Sequence, residues 1–176
     1  MKMENKIVIP LSKTKLIKYF IGSLLFLLAG FLFITNPQWF IKSNDTSVIK
    51  IIGYICTFFF GASALFISQK LFNKEAGLII DDEGITDNAS GVGAGKILWK
   101  DVKGIATQDV MNQKFIMLKM RNPEFYLQRE KNPIKKRMME LNYKLYQTPI
   151  NISANGLKIG VDELYAKLHD YYTKLN

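Results

Sequence analysis

YFIGSLLFLLAGFLFI, Tyr19 to Ile34, and IIGYICTFFFGASALFISQ, Ile51 to Gln69, decide how this chain is built. Neither stretch contains Asp, Glu, Lys, Arg or His, and the first uncharged run continues to Ile41. A helix needs about 20 mostly apolar residues to cross roughly 30 Å of hydrocarbon. Both runs meet that length. Lipid offers backbone N–H and C=O groups no partners, so a crossing segment must be helical. The expectation is two transmembrane helices, about residues 19–36 and 50–70, joined by a short external loop. Asn36-Pro37 ends the first, and Tyr19 and Trp39 stand near its two ends, where amphipathic rings favour the interface. Two other readings compete: a pair of buried helices in a soluble domain and, for the first run, a cleaved signal peptide. The remaining sequence has no matching excess of apolar faces to wrap two buried helices. No small-x-small cleavage site cleanly follows the first run, and a second run comes after it.

The whole-chain numbers agree with blocks of this kind. The 176 residues carry 24 Lys+Arg against 15 Asp+Glu, a net charge of +9. Mean hydropathy is +0.04 although 22% of residues are charged. Both figures hold only if apolar residues are concentrated, which excludes disorder and a uniformly soluble globule. A single Cys excludes a disulfide scaffold and a cysteine-ligated zinc site, and a single His excludes most histidine-based metal and catalytic constellations.

Flanking charge sets the expected orientation. Residues 1–18 hold Lys2, Lys6, Lys13, Lys15 and Lys18 against Glu4, and Lys70 and Lys74 follow the second run. The connecting residues 35–50 hold only Lys42, Lys50 and Asp45. The basic excess lies at the two ends, so both termini are expected in the cytoplasm, with the protein multi-pass in the inner or plasma membrane. The spans lack the ionisable groups that mark ion paths and proton relays, which argues against a pump or transporter. Gly53, Thr57 and Gly61 recur every four residues on one face of the second span. Small residues at that spacing let helices approach closely. The face is a candidate seam, either for a homo-oligomer or, the preferred reading, for the first span of the same chain, which presents Gly22 and Gly30.

After Lys74 the composition changes. AGLIIDDEGITDN reads as strand, tight turn, strand, with Asp82-Glu83-Gly84 as the turn. Strands are expected around Ile97–Trp99, Gly104–Asp109, Lys114–Met120 and Thr148–Ser153. Asn122-Pro123 and Asn132-Pro133 each start a helix, because Asn caps an N-terminus and Pro at the first position loses no needed N–H. The helices are expected over about 123–129 and 133–146, the second with Ile134, Met138, Leu141 and Leu145 as its apolar face. VDELYAKLHDYYTKLN is an amphipathic helix with Val161, Leu164, Leu168, Tyr171, Tyr172 and Leu175 on its apolar face. Ahead of the spans, Lys6 to Ser12 is a candidate edge strand, where Pro10 is tolerated. The count is about seven strands with a closing C-terminal helix.

With Gly77-Leu78-Ile79-Ile80, Gly84-Ile85, Trp99-Lys100-Asp101-Val102, Asn122-Pro123, Thr148-Pro149-Ile150 and the helix from Val161 in this order, the layout resembles a group of uncharacterised bacterial membrane proteins. These have two N-terminal spans followed by a cytoplasmic domain similar to pleckstrin-homology (PH) folds. The resemblance covers nearly the whole chain. It implies a membrane α-helical hairpin plus an α+β domain over residues 70–176, a PH-like antiparallel barrel or sheet capped by its last helix. It also implies a binding or scaffolding role without catalytic residues or cofactor.

Four places carry candidate chemistry. His169 stands beside Asp170, with no nucleophile placed by a recognisable motif, and reads as a surface histidine. Asp81, Asp82 and Glu83 lack the spacing of a calcium loop and read as a solvated turn. Gly91, Gly93 and Gly95 have the wrong spacing for a dinucleotide fingerprint and precede a strand rather than a helix. Arg129, Lys131, Lys135, Lys136 and Arg137 form the densest basic cluster. On a bilayer-tethered protein they are candidate contacts for anionic headgroups, each contributing roughly 1 kcal/mol near the surface. The bland alternative is a solvated helix face. No aromatic-studded basic motif supports nucleic acid as a partner. The sequons at Asn88 and Asn151 are expected to be unmodified in a cytoplasmic domain. The first expectation is therefore a membrane-tethered binding domain, its partner the bilayer, another protein or itself, and no enzyme. The alternatives are an anionic-lipid-sensing regulator using residues 129–137 and an accessory subunit of a membrane complex.

Overall fold

A computed structural model describes residues 6–42, 44–73, 75–90 and 93–175. Lys2, Glu4 and Lys74, which enter the charge comparison, and Gly91 lie outside those residues. The chain forms two compact units. One is the helical hairpin from Lys13 to Lys74; the other joins the residues before Lys13 to the chain from Glu75 onward.

The hairpin consists of α1 (Lys13–Thr35), a short 3-10 turn (Pro37–Trp39) and α2 (Ser47–Phe72). Both helices are long and apolar enough to cross a membrane. Each is longer than its apolar run: α1 begins at Lys13 rather than near residue 19, and α2 spans Ser47 to Phe72 rather than 50–70. Hydrogen-bond propagation costs little once a helix exists, and Lys13–Lys18 and Lys70-Leu71 are good helix formers, so the ladder continues past the uncharged limit. The Ser47 hydroxyl and then its N–H, 2.9 Å from Asp45 Oδ1, hold the Asp45 carboxyl below the usual carboxylate range. Three hydroxyls in the helices are turned onto their own backbone: Ser23 donates to Tyr19 O, Thr35 to Phe31 O and Ser63 to Phe59 O.

Gly30 and Gly53 bring the two helices together. A Cβ on Gly30 would stand 2.9 Å from Cys56 Cβ and Thr57 Oγ1, and one on Gly53 would stand 2.8 Å from Gly30 O. No side chain fits at either position without parting the helices. Phe26 stacks on Phe60 at 4.6 Å in the same hairpin. Gly53 and Thr57 thus face α1. Gly61 has only an ordinary contact with Leu27, and Gly22 has no neighbour at Cβ distance.

Among the described residues the second unit carries seven strands in two antiparallel sheets. The first sheet runs β1 (Ile7–Ile9), β2 (Leu78–Ile80), β3 (Gly84–Asp87), β4 (Gly95–Leu98), in that spatial order. The second runs β5 (Val102–Val110), β6 (Gln113–Met120), β7 (Ile150–Ile152). A 3-10 turn at Trp99–Asp101 links the sheets. Between β6 and β7 come α3 (Pro123–Arg129) and α4 (Pro133–Tyr146), and α5 (Val161–Leu175) follows β7. Both Asn-Pro pairs cap as expected: Asn122 Oδ1 accepts the Phe125 N–H at 3.3 Å, and Asn132 Oδ1 accepts those of Ile134 and Lys135. The core joins both sheets to α5, with Leu78, Ile80, Ile85, Ile97, Ile116, Leu118, Leu164 and Leu168 fully buried.

β1 lies within the expected edge strand, at the end of the first sheet. Ile9 pairs with Leu78 and Ile7 with Ile80, so the chain leaves a sheet for the whole hairpin and returns to pair with its own beginning. Pro10 O accepts the Lys158 N–H at 3.0 Å, and the Ser12 N–H donates to Gly156 O at 2.8 Å. The N-terminal segment is therefore part of the domain.

Two apolar faces differ from their sequence expectation. On α5, Leu164, Leu168 and Tyr171 are buried but Leu175 is exposed. On α4 the inward residue is Met139, while Ile134, Met138, Leu141 and Leu145 all face out. Periodicity locates an apolar stripe on a helix; it does not say whether the core receives it.

Candidate functional site

The basic cluster is divided by the fold. Arg129 closes α3, and its guanidinium donates to Ala94 O at 2.5 Å and Lys96 O at 2.9 Å. It also lies over the Tyr126 ring at 4.7 Å from the centroid. Arg129 is a clamp between α3 and β4, spent on carbonyls and an aromatic face. Arg137 approaches Glu140 at 3.5 Å on α4, an exposed pair of small energetic weight. Lys131 is exposed just ahead of α4, and Lys135 and Lys136 are partly exposed in its first turn.

Two buried tyrosines hold the helices to the sheets. Tyr126 of α3 donates to Asp101 Oδ2 at 2.8 Å and accepts the Leu98 N–H at 3.2 Å. Tyr171 of α5 donates to Asp82 Oδ1 at 2.8 Å and stacks on Trp99, whose Nε1–H donates to Asp81 O at 2.7 Å. Burial, with each hydroxyl committed to a carboxylate, pushes both phenols up to about 12. Both pKa values are raised by folding, so the stabilisation is intact below the ordinary tyrosine pKa near 10 and is lost as pH rises through about 12. Tyrosinate absorbance should keep a component titrating near pH 12 that shrinks in Tyr126→Phe and again in the double variant with Tyr171→Phe. If those variants leave the titration unchanged, the two hydroxyls are not held as described.

The acidic turn is fully engaged in folding. Asp81 Oδ1 accepts the Glu83 and Gly84 N–H groups, and Lys96 bonds Glu83 and approaches Asp81 at 3.7 Å. The hydrogen bond to Glu83 holds the Lys96 ammonium above its usual range. Among the described residues no group of three His, Cys, Asp or Glu side chains could hold a metal ion. His169 is exposed on α5, with its ring 5.7 Å from that of Tyr165.

Two concave features escape the strand and helix predictions: a pocket of about 530 Å³ beside Lys103, Gly104, Lys119 and Gln147, and an open cleft of about 310 Å³ between α4 and the second sheet. In the cleft, Phe115, Met138 and Tyr146 supply apolar walls, and Asn142, Asn151 and Ser153 supply neutral hydrogen-bonding groups. Among the described residues its lining is neutral, and the groups it offers are hydrogen-bonding amides and hydroxyls. Its walls come from separate elements, and no sequence spacing could have announced it. No protein-family model matches the chain, and no curated protein or solved structure shows significant similarity to it. The reading of function rests on the chain's own geometry: an apolar hairpin, a two-sheet domain fastened by buried tyrosines, and an outward-facing α4 rimmed by lysines.

Proposed function

We propose that this is a two-span bacterial membrane protein whose PH-like domain is a non-catalytic binding module held at the cytoplasmic face. The carrying observation is the pairing of β1 with β2 around the hairpin. A chain that crosses the bilayer at α1 and returns at α2 puts both strands on one side, which the sheet requires. A cleaved signal peptide ending in α1 would remove β1 from its partner. Exposure supports the same reading: only 11% of the most apolar window of each helix is buried, and Phe58 is 81% exposed. A core helix of a soluble domain would be mostly covered.

The PH-like reading is supported by the four-plus-three arrangement of antiparallel strands with a helix after the last. α3 and α4 are additions between β6 and β7. Tethering is the mechanism: confinement to the membrane surface raises the effective concentration of weak partners.

The test is topology together with extraction. After alkaline carbonate washing the chain should stay with the membrane pellet, and fluorescent reporters fused to either terminus should both be active in the cytoplasm. A chain found in the supernatant, or termini on opposite sides, would end this reading.

A further inference from the structure

We infer that α4 lies in the headgroup–acyl boundary of an anionic bilayer, with Ile134, Met138, Leu141 and Leu145 inserted; this rests on the membrane reading above. These four side chains are 72%, 45%, 45% and 66% exposed. Their spacing of four, three and four residues places them within about 60° of one helix face, along a helix of about 21 Å. The helix packs inward through Met139, which is fully buried; Met138 stands at the margin of the stripe, where it also borders the cleft beside the second sheet, and Ile134, Leu141 and Leu145 carry the outward face.

The flanks select the occupant. α4 carries Lys135, Lys136, Arg137 and Lys144 against the single acid Glu140, and Lys131 precedes it. An apolar stripe of aliphatic side chains bordered by Lys and Arg matches a helix lying in the plane of an anionic interface. Protein interfaces are instead enriched in aromatic residues and depleted in Lys. Pairing α4 with a second copy would bring two such cationic borders together. The covalent connections favour the same surface. Ser12 adjoins α1 and five residues separate α2 from β2, so a hairpin in the bilayer keeps the domain at high effective concentration beside it.

The test uses the full chain in a Cys56→Ser background, with an environment-sensitive fluorophore on Leu141→Cys, or on His169→Cys as the exposed control. Vesicles of phosphatidylcholine with phosphatidylglycerol carry a nitroxide-labelled lipid as quencher. The label at 141 should lose most of its emission and shift to the blue, while that at 169 should not. A second site, Ile134→Cys, should behave like 141. Replacing phosphatidylglycerol by phosphatidylcholine, or making Lys135, Lys136 and Arg137 all Gln, should reverse much of the quenching at 141. Equal water exposure at 141 and 169 would overturn the assignment. So would protection at 141 that appears only as protein density in the vesicles rises, which would mark contact between copies. Carbonate washing of the same vesicles separates the two levels: a retained chain with an unquenched 141 sinks the placement of α4 alone, and a released chain sinks the membrane reading beneath it.

Discussion

Gly84→Ala is expected to unfold the domain, although it adds one methyl group. Gly84 opens β3 opposite Leu98, and a Cβ there would fall 2.0 Å from Ile97 O and 2.9 Å from Ile97 C. The obstacle is backbone, so no rotamer change relieves it. The strands would have to part, and with them the Asp81 turn, whose N–H donor to the Gly84 carbonyl and whose carboxylate acceptor for the Gly84 N–H both depend on this approach. The cost should be about 4 kcal/mol or more, in the tail reserved for broken cores and backbone strain, and comparable to the whole stability of a small domain. Gly104→Ala is the matched control, because nothing stands within 4 Å of the added methyl. It should change stability by no more than about 0.5 kcal/mol. Trp99 reports the difference: it is buried against Tyr171, while Trp39, the other tryptophan, is replaced by Phe in both proteins. Equal thermal midpoints for the two variants would refute the register at β3–β4.

The second large effect concerns the first strand. A fragment of residues 75–176 should fail to fold, whereas a chain joining Ser12 to Glu75 through a short Gly-Ser linker in place of the hairpin should fold. The fragment loses Ile9 from the core, leaves β2 an unpaired edge on the side where β1 lay, and strips the Lys158 N–H of its acceptor on Pro10. Removing a buried aliphatic side chain alone costs about 2 to 5 kcal/mol, before the lost ladder is counted. Ile9 and Leu78 are cross-strand neighbours, so a short connection spans the gap that the hairpin now fills. Circular dichroism and proteolysis decide between them. A fragment as protected as the linked chain would show β1 to be dispensable.

Within the candidate site, sequence and structure part company on α4 and on Arg129. The caps at Asn122 and Asn132 were legible because a cap is local: one side chain reaches N–H groups two or three residues ahead. The apolar stripe of α4 was equally legible as a pattern. Its direction was not, because the covered side of α4 depends on packing against β7, a strand the helix periodicity says nothing about. The cluster at 129–137 reads in sequence as one run of charge. In space Arg129 turns back onto β4 carbonyls about thirty-five residues earlier, and only the remaining cations border the stripe.

Local chemistry alone determined the two lipid-length helices, the order and type of nearly every later element, and both helix starts. Each depends on short-range terms: the length of an uncharged run, a period of two or 3.6 residues, a turn glycine, a capping Asn. Tertiary structure decided what depends on distant partners. It closed the first strand onto the strand after the hairpin, stacked Trp99 under Tyr171, spent Arg129 on carbonyls, and left the α4 stripe uncovered. Such choices rest on which surfaces meet, and a core with room for Met139 had none for Ile134, Met138, Leu141 and Leu145.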